Sequence, residues 1–144
     1  PVARTSPYAI FGHSMGGFLA LLCAFQTFEA GLPLPKALFL SACAPPDVFA
    51  HKSSLPVSSF TADQLWKYVT KLGGIPPSVA TSGEFCRYLE PILYADFAAL
   101  DNWTPGPLSP LPVPITVFLG DQDALCTQTA LKWQKYTTRD FAMH

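Results

Sequence analysis

The sequence predicts an α/β fold in which a mostly parallel sheet is flanked by helices. Three short apolar runs, at 8–11, 37–41 and 115–119, have Pro or Gly nearby and are typical of buried parallel strands. The segment from 15 to about 30 lies between the first two runs and has apolar residues at helical spacing. This order of strand, helix and strand indicates a right-handed crossover in a parallel sheet. Residues 140–143 are expected to begin a fourth strand.

The first helix is expected to be buried against the sheet and to end at Gly31. The residues that form one apolar stripe at helical spacing are Phe18, Leu21, Leu22, Phe25 and Phe28, with Leu19 and Cys23 widening it. A later segment, from 127 to about 136, is predicted to be a further helix, and it precedes the fourth strand.

A helical insertion is predicted at approximately 60–100, within a single partial domain that spans 1–144. Thr61 and Gln64 have the spacing of a capping box, and an amphipathic stripe follows them. Residues 84–100 form a further helical stretch that Pro91 is expected to break or kink. The preceding residues, 47–59, have the composition of a loop.

The composition of the 144 residues excludes several classes of partner. Hydrophobic residues make up 49%, charged residues 13%, and the net charge is −1. This balance favours neither nucleic acid nor an anionic membrane surface, and no apolar run is long enough to span a bilayer. The four cysteines have neither C-x-x-C nor zinc-ligand spacing. We therefore expect no metal, reduced thiols with Cys23 and Cys43 in the core, and a cytoplasmic location.

The most informative motif is G-x-S-x-G at Gly12–Gly16, between a predicted strand and a predicted helix. In this setting the serine occupies a sharp turn, and side chains at Gly12 and Gly16 are expected to collide. The turn would expose the hydroxyl of Ser14 at the positive end of the helix. The backbone N–H of Met15 would then point to a developing oxyanion. The motif predicts an α/β-hydrolase fold with Ser14 as the nucleophile of acyl transfer.

A serine nucleophile needs a base, and the base needs an orienting acid. Asp121 and Asp123 follow the strand at 115–119. We favour Asp123, because three residues past the glycine at 120 the chain can turn back towards the nucleophile, and Asp121 is the alternative. Of the three histidines, His13 adjoins the nucleophile, His51 lies in a loop before the acid, and His144 lies at the end of the last strand. Only His144 comes after the acid, as the chain order of this fold requires, so it is an alternative base, but none of the three lies in the loop after the last strand, where this fold places its base.

The G-x-S-x-G motif at Gly12–Gly16 is called the elbow below. Together with four further stretches, it resembles the type II thioesterases that serve polyketide, nonribosomal-peptide and fatty-acid synthases. The stretches that carry the resemblance are Gly12–Gly17, Ser41–Pro45, Leu72–Pro76, Pro91–Phe97, and Pro114–Phe118 with the acid loop after it. In the family, arginine usually stands where Tyr94 is. The lid stretch Leu72–Pro76 and the stretch around Tyr94 are more specific than the elbow.

The resemblance implies hydrolysis of acyl thioesters on the phosphopantetheine arm of an acyl or peptidyl carrier protein, with no cofactor of its own. It assigns Ser14 as nucleophile, Asp123 as acid, the Met15 N–H as an oxyanion donor, and 60–100 as the lid. The family's catalytic histidine stands in a Gly-Gly-His-Phe segment after the last strand, and is expected beyond His144. The family's early strands are expected before Pro1, so the isolated chain is expected to have exposed sheet edges and marginal solubility.

Two other functions compete with this interpretation. A carboxylesterase or lipase of the same fold would use the same elbow, because a fold alone does not fix the substrate. A non-catalytic module that binds an acyl carrier would need no histidine. Relative turnover of a thioester and a matched oxygen ester distinguishes a thioesterase from a carboxylesterase or lipase. Labelling of Ser14 by a fluorophosphonate would argue against a non-catalytic module, because the label needs an activated serine.

Overall fold

The computed structural model describes residues 6–49, 56–73, 75–104, 106–123 and 127–144. The strands are β1 (Ile10–His13), β2 (Leu38–Ser41), β3 (Ile115–Phe118) and β4 (Phe141–Met143). The α-helices are α1 (Met15–Glu29), α2 (Pro46–Phe49), α3 (Ala62–Lys71), α4 (Pro77–Ala80), α5 (Gly83–Asp101) and α6 (Thr127–Leu131). Two 3₁₀ helices cover Val57–Ser59 and Lys132–Tyr136.

The four strands form one sheet in the order β1-β2-β3-β4, and every neighbouring pair is parallel. The predicted parallel α/β architecture is therefore confirmed. Because the strands are parallel and in register, their carboxyl ends meet at one edge of the sheet. The segments that follow β1, β2 and β3 all begin at this edge, which we call the carboxyl edge.

The residues 1–51 and 105–144 form one compact unit, which contains the sheet and is called the sheet unit below. Its core lies on the face of the sheet that α1 covers. Fully buried strand residues on this face include Leu38, Leu40, Ile115 and Val117, and the 3₁₀ helix adds Trp133. The opposite face is less covered, since Phe11 is 64% exposed. The prediction of a strand buried at 8–11 was wrong in two ways: β1 begins at Ile10 and extends through His13, and its Phe11 faces solvent.

Helix α1 packs on the sheet through part of the predicted apolar stripe, Phe18 and Leu21, and through small residues that the prediction did not include. Its buried residues are Gly17, Phe18, Ala20, Leu21 and Ala24. The small side chains at 17, 20 and 24 lie on one helical face, which lets the helix approach the strands closely. Leu19 and Phe28 are exposed as a result, and Cys23 is exposed rather than in the core.

Residues 52–104 form a second compact unit, inserted between 1–51 and 105–144. The capping box predicted for Thr61 and Gln64 is present, with Gln64 Oε1 accepting from the Thr61 N–H at 2.8 Å. Val57, Leu65 and Val69 form the buried centre of this unit.

Three local predictions hold only in part. The expected loop at 47–59 contains most of α2 and a 3₁₀ helix, because Pro46 is well suited to the first position of a helix. Helix α5 continues through Pro91, so the expected break is wrong. The helix expected at 127–136 is present, but it changes from α to 3₁₀ at Lys132.

Candidate active site

Ser14 lies in a strained turn between β1 and α1. Its φ is 53° and its ψ is −121°, a backbone region that residues other than glycine seldom adopt. Its N–H donates a 2.8 Å hydrogen bond to the carbonyl of Ser41, and its carbonyl accepts one of 3.0 Å from the N–H of Gly17. The Ser14 side chain makes no capping hydrogen bond, and the residue is exposed. The turn thus presents this hydroxyl to solvent at the carboxyl edge.

The glycines around Ser14 have different roles. A Cβ on Gly12 would overlap the carbonyl of Gly16, so the expected collision exists at Gly12. At Gly16 the expectation was wrong, because a Cβ there would meet no described atom within 4 Å outside its own turn of helix. Gly16 contributes its backbone, which is the group that a side chain on Gly12 would strike. Sequence reasoning missed Gly17, where a Cβ would overlap the Sγ of Cys43.

Met15 is the first residue of α1. The N–H groups of a helix's first turn have no acceptor within the helix, and they lie at its positive end. The Met15 N–H is therefore an available hydrogen-bond donor directly after Ser14 in the chain. Its assignment to an oxyanion remains a prediction.

The acid loop begins at the carboxyl end of β3, two strands away from Ser14. The N–H of Asp123 donates a 3.1 Å hydrogen bond to the carbonyl of Gly120, which closes a tight turn. Asp123 is half-buried, whereas Asp121 is exposed. Only a partly buried carboxylate is well placed to hold a histidine in one orientation, so this difference favours Asp123 over Asp121.

The turn after β2 lies between the elbow and the acid loop. Ala42 has a φ of 48° and donates its N–H to the carbonyl of Phe118 at 3.0 Å. Cys43 is 3% exposed. Burial, and then the negative charge of Asp123, raise the pKa of the Cys43 thiol to about 12. The carboxylate of Asp123 therefore lies close enough to Cys43 to act on it electrostatically, and the thiol stays neutral.

The described histidines lie at the carboxyl edge, but neither is shown next to the hydroxyl of Ser14. His13 Nδ1 is 3.1 Å from the hydroxyl of Ser41. His144 continues the ladder of β4, with its N–H donating to Val117 and its carbonyl accepting from Leu119, both at 2.9 Å. The imidazole of His144 stacks on Phe118 at a centroid distance of 5.7 Å. His51 lies outside the described residues.

An exposed serine in a strained strand–turn–helix, at the carboxyl edge of a parallel sheet, defines an α/β-hydrolase. The chain matches the family Thioesterase domain over residues 1–144, and it belongs to that family. The family resemblance predicted from the sequence is confirmed.

Individual relatives agree with this membership. Thioesterase TesA of Mycobacterium marinum is 34% identical over 145 residues, which cover 99% of this chain and 56% of the relative. The human S-acyl fatty acid synthase thioesterase, medium chain, is 32% identical, covering 85% of this chain and 47% of the relative. The crystal structure of ClbQ, from the colibactin NRPS/PKS pathway, superimposes with a TM-score of 0.85 at 30% identity, covering 96% and 58%. The chain spans about half the length of the curated relatives it matches.

Within the described ranges, no group of three or more His, Cys, Asp or Glu side chains is arranged to hold a metal ion. Cys23, Cys43 and Cys86 are free thiols. None of the helices in the described ranges has both the length and the apolar character needed to cross a membrane.

Proposed function

We propose that the protein containing this chain is a serine thioesterase that removes acyl groups from the phosphopantetheine arm of an acyl or peptidyl carrier protein. The observation that carries the proposal is the exposed Ser14 with a φ of 53° at the start of α1, in a chain of the thioesterase family. A fatty acid synthase thioesterase and a protein of an NRPS/PKS pathway are among its relatives, which supports a carrier-bound substrate. The reaction would be cytoplasmic.

The reaction would proceed in two steps through an acyl-enzyme. A histidine base removes the proton of the Ser14 hydroxyl while its oxygen attacks the thioester carbonyl carbon. The oxyanion of the tetrahedral intermediate accepts a hydrogen bond from the Met15 N–H. The C–S bond then breaks, and the thiolate takes the proton from the histidine. Water, activated by the same base, then attacks the acyl carbon. The bond from this carbon to the Ser14 oxygen breaks, the histidine returns the proton to that oxygen, and a carboxylic acid is released. None of these steps needs a cofactor.

Asp123 would hold the imidazole in the required tautomer and stabilise the imidazolium. The family pattern supports a base in a Gly-Gly-His-Phe segment after β4, beyond His144. The backbone of His144 continues the β4 ladder and its ring stacks on Phe118, which supports a structural role for this histidine.

The inserted unit would serve as the lid over the acyl chain. Its helix α5 carries Phe85, Tyr88 and Ile92 with large exposed apolar surface, at spacings of three and four residues. Such a stripe suits contact with a hydrophobic acyl group, and lids of this kind exclude water during the reaction.

The test compares two substrates that differ in one atom, an acyl-pantetheine thioester and its oxygen ester. We expect the protein containing this chain to prefer the thioester. Ser14→Ala is expected to lower kcat/KM by about a thousandfold or more. Ser109→Ala serves as the control, because it also deletes an exposed serine hydroxyl but lies in the segment before β3, outside the inserted unit. A preference for the oxygen ester would favour a carboxylesterase, and an adduct on a residue other than Ser14 would overturn the mechanism.

A further inference from the structure

The turn Ser41–Cys43 begins at the last residue of β2. Its backbone contacts three other parts of the sheet unit. The Ser41 carbonyl accepts the N–H of Ser14 at 2.8 Å, and the Ala42 N–H reaches the Phe118 carbonyl at 3.0 Å. The carbonyl of Cys43 accepts the indole Nε1–H of Trp133 at 2.9 Å. This short turn therefore connects the elbow, the end of β3 and the 3₁₀ helix Lys132–Tyr136.

The turn is strained, so something must hold it. A φ of 48° at Ala42 belongs to the left-handed region, which costs a residue with a Cβ of order 1 kcal/mol or more. Such conformations persist only where surrounding contacts over-determine them. The hydrogen bonds at Ser41 and Ala42 fix one side of the turn, and the bond from Trp133 fixes the other.

Trp133 is suited to this role by its burial and its chemistry. Its side chain is fully buried and is among the largest in the core. An indole N–H can only donate, so the Cys43 carbonyl gives it the partner that a buried donor requires. Loss of this N–H would leave the Cys43 carbonyl without that donor and would remove one restraint on Ala42.

A displacement of Cys43 would be transmitted to the nucleophile through direct packing. The Cys43 side chain fills the space beside Gly17, in the first turn of α1, where a Cβ on Gly17 would lie 3.0 Å from the Cys43 Cβ. The same first turn bears the N–H of Met15 and begins at Ser14. Catalytic groups that shift by as little as 1 Å can lose about a hundredfold in rate.

We propose that Trp133 is a positioning residue for Ser14, because its indole N–H holds the strained turn Ser41–Cys43 against the elbow. The inference rests on the proposed role of Ser14 as the nucleophile. Trp133 acts on the reaction only through this turn, by its hydrogen bond to the Cys43 carbonyl. It fixes where the Ser14 hydroxyl and the Met15 N–H stand relative to the thioester carbonyl.

The experiment removes the N–H of Trp133 with and without a loss of packing, in the protein that contains this chain. Trp133→Phe loses the N–H and part of the buried volume, whereas replacement of Trp133 by 3-benzothienylalanine keeps both fused rings and lacks only the N–H. Thr137→Val is the matched control, since it deletes a side-chain donor to the Val113 carbonyl at 2.7 Å, away from the turn after β2. For each variant, kcat, KM, Tm and the rate of Ser14 labelling by a fluorophosphonate are measured.

We expect both Trp133 variants to lower kcat and the labelling rate by about ten- to a hundredfold, with KM changed less than about twofold. Thr137→Val should lower Tm without changing the labelling rate. Wild-type activity in the benzothienylalanine variant, including the case where only Trp133→Phe fails, would overturn the inference by showing that packing alone matters. Undiminished labelling of Ser14→Ala would instead refute the proposed function, so the two failures are distinguishable.

Discussion

The side chain of Cys43 occupies the space that a Cβ on Gly17 would need. This contact joins the strained turn after β2 to the first turn of α1, and it gives Gly17, which directly follows the elbow motif, a packing role. The smallest substitution at Gly17 therefore tests it.

Gly17→Ala is expected to lower the free energy of unfolding by about 1–3 kcal/mol, because its Cβ overlaps the Sγ of Cys43. The loss should occur although alanine favours a helix by about 1 kcal/mol over glycine. Cys43→Ala removes the overlapping sulfur, so the double variant should recover part of the loss. Urea titration of the four proteins gives the coupling energy, and simple additivity would contradict the contact.

Gly12→Ala and Gly16→Ala should affect stability in opposite directions. A Cβ at Gly12 overlaps the Gly16 carbonyl, and its nearest further neighbour, the Gly17 nitrogen, is 2.7 Å away. At Gly16 a Cβ would meet no atom of the described residues within 4 Å outside its own turn, and this residue lies within α1. We expect Gly12→Ala to destabilise the fold strongly, and Gly16→Ala to stabilise it by up to about 1 kcal/mol through helix propensity. Chemical denaturation measures both, and equal losses would refute the assignment.

The sequence predicted those features that depend on local chemistry. The elbow, the capping box at Thr61 and the four parallel strands follow from residue type and periodicity. The packing face of α1 was predicted only in part: Phe18 and Leu21 are buried as expected, but Gly17, Ala20 and Ala24 were too small to register in a stripe of large apolar residues. Neither the positive φ of Ala42 nor the hydrogen bond between Trp133 and Cys43 has a sequence signal, since both arise only from tertiary packing between distant segments.

The described thiols should differ sharply in reactivity. Cys23 is exposed on α1, whereas burial and the charge of Asp123 raise the pKa of Cys43 to about 12. At pH 8 the Cys43 thiol would therefore stay protonated, and the thiolate is the reactive form. We expect iodoacetamide to modify Cys23 quickly and Cys43 only after unfolding. Peptide mapping by mass spectrometry with and without urea checks this, and early modification of Cys43 in the folded protein would contradict its placement.

The cluster of Asp47, Lys135 and Tyr136 should make stability depend on pH at the acid end. Burial alone would raise the pKa of Asp47, but hydrogen bonds from Lys135 and Tyr136 lower it overall below its usual 3.8. Because the folded pKa is depressed, the stabilisation is present above the unfolded pKa and is lost as pH falls through the folded one. The contribution should stay below about 1 kcal/mol, since the Asp47 and Lys135 side chains are 39% and 51% exposed.

Comparison of the wild type with Asp47→Asn tests this dependence. The wild type should have the larger free energy of unfolding at pH 7, and the difference should shrink as the pH falls below about 4. Added salt should shrink it at pH 7 as well, because exposed pairs are screened. A difference that does not change with pH would show that the carboxylate charge is not what stabilises the cluster.

Pro91→Ala should stabilise the inserted unit. Pro91 is exposed within the continuous helix α5, where it cannot donate a hydrogen bond to the carbonyl of Arg87 four residues earlier. Proline inside a helix costs about 3 kcal/mol relative to alanine, so we expect a gain of about 1–3 kcal/mol in the free energy of unfolding. Pro107→Ala, at an exposed position outside any helix, is the control and should be neutral or slightly destabilising. Urea denaturation followed by circular dichroism measures both variants. If Pro91→Ala is no more stable than Pro107→Ala, the helix has already accommodated the proline, and the missing bond carries no cost.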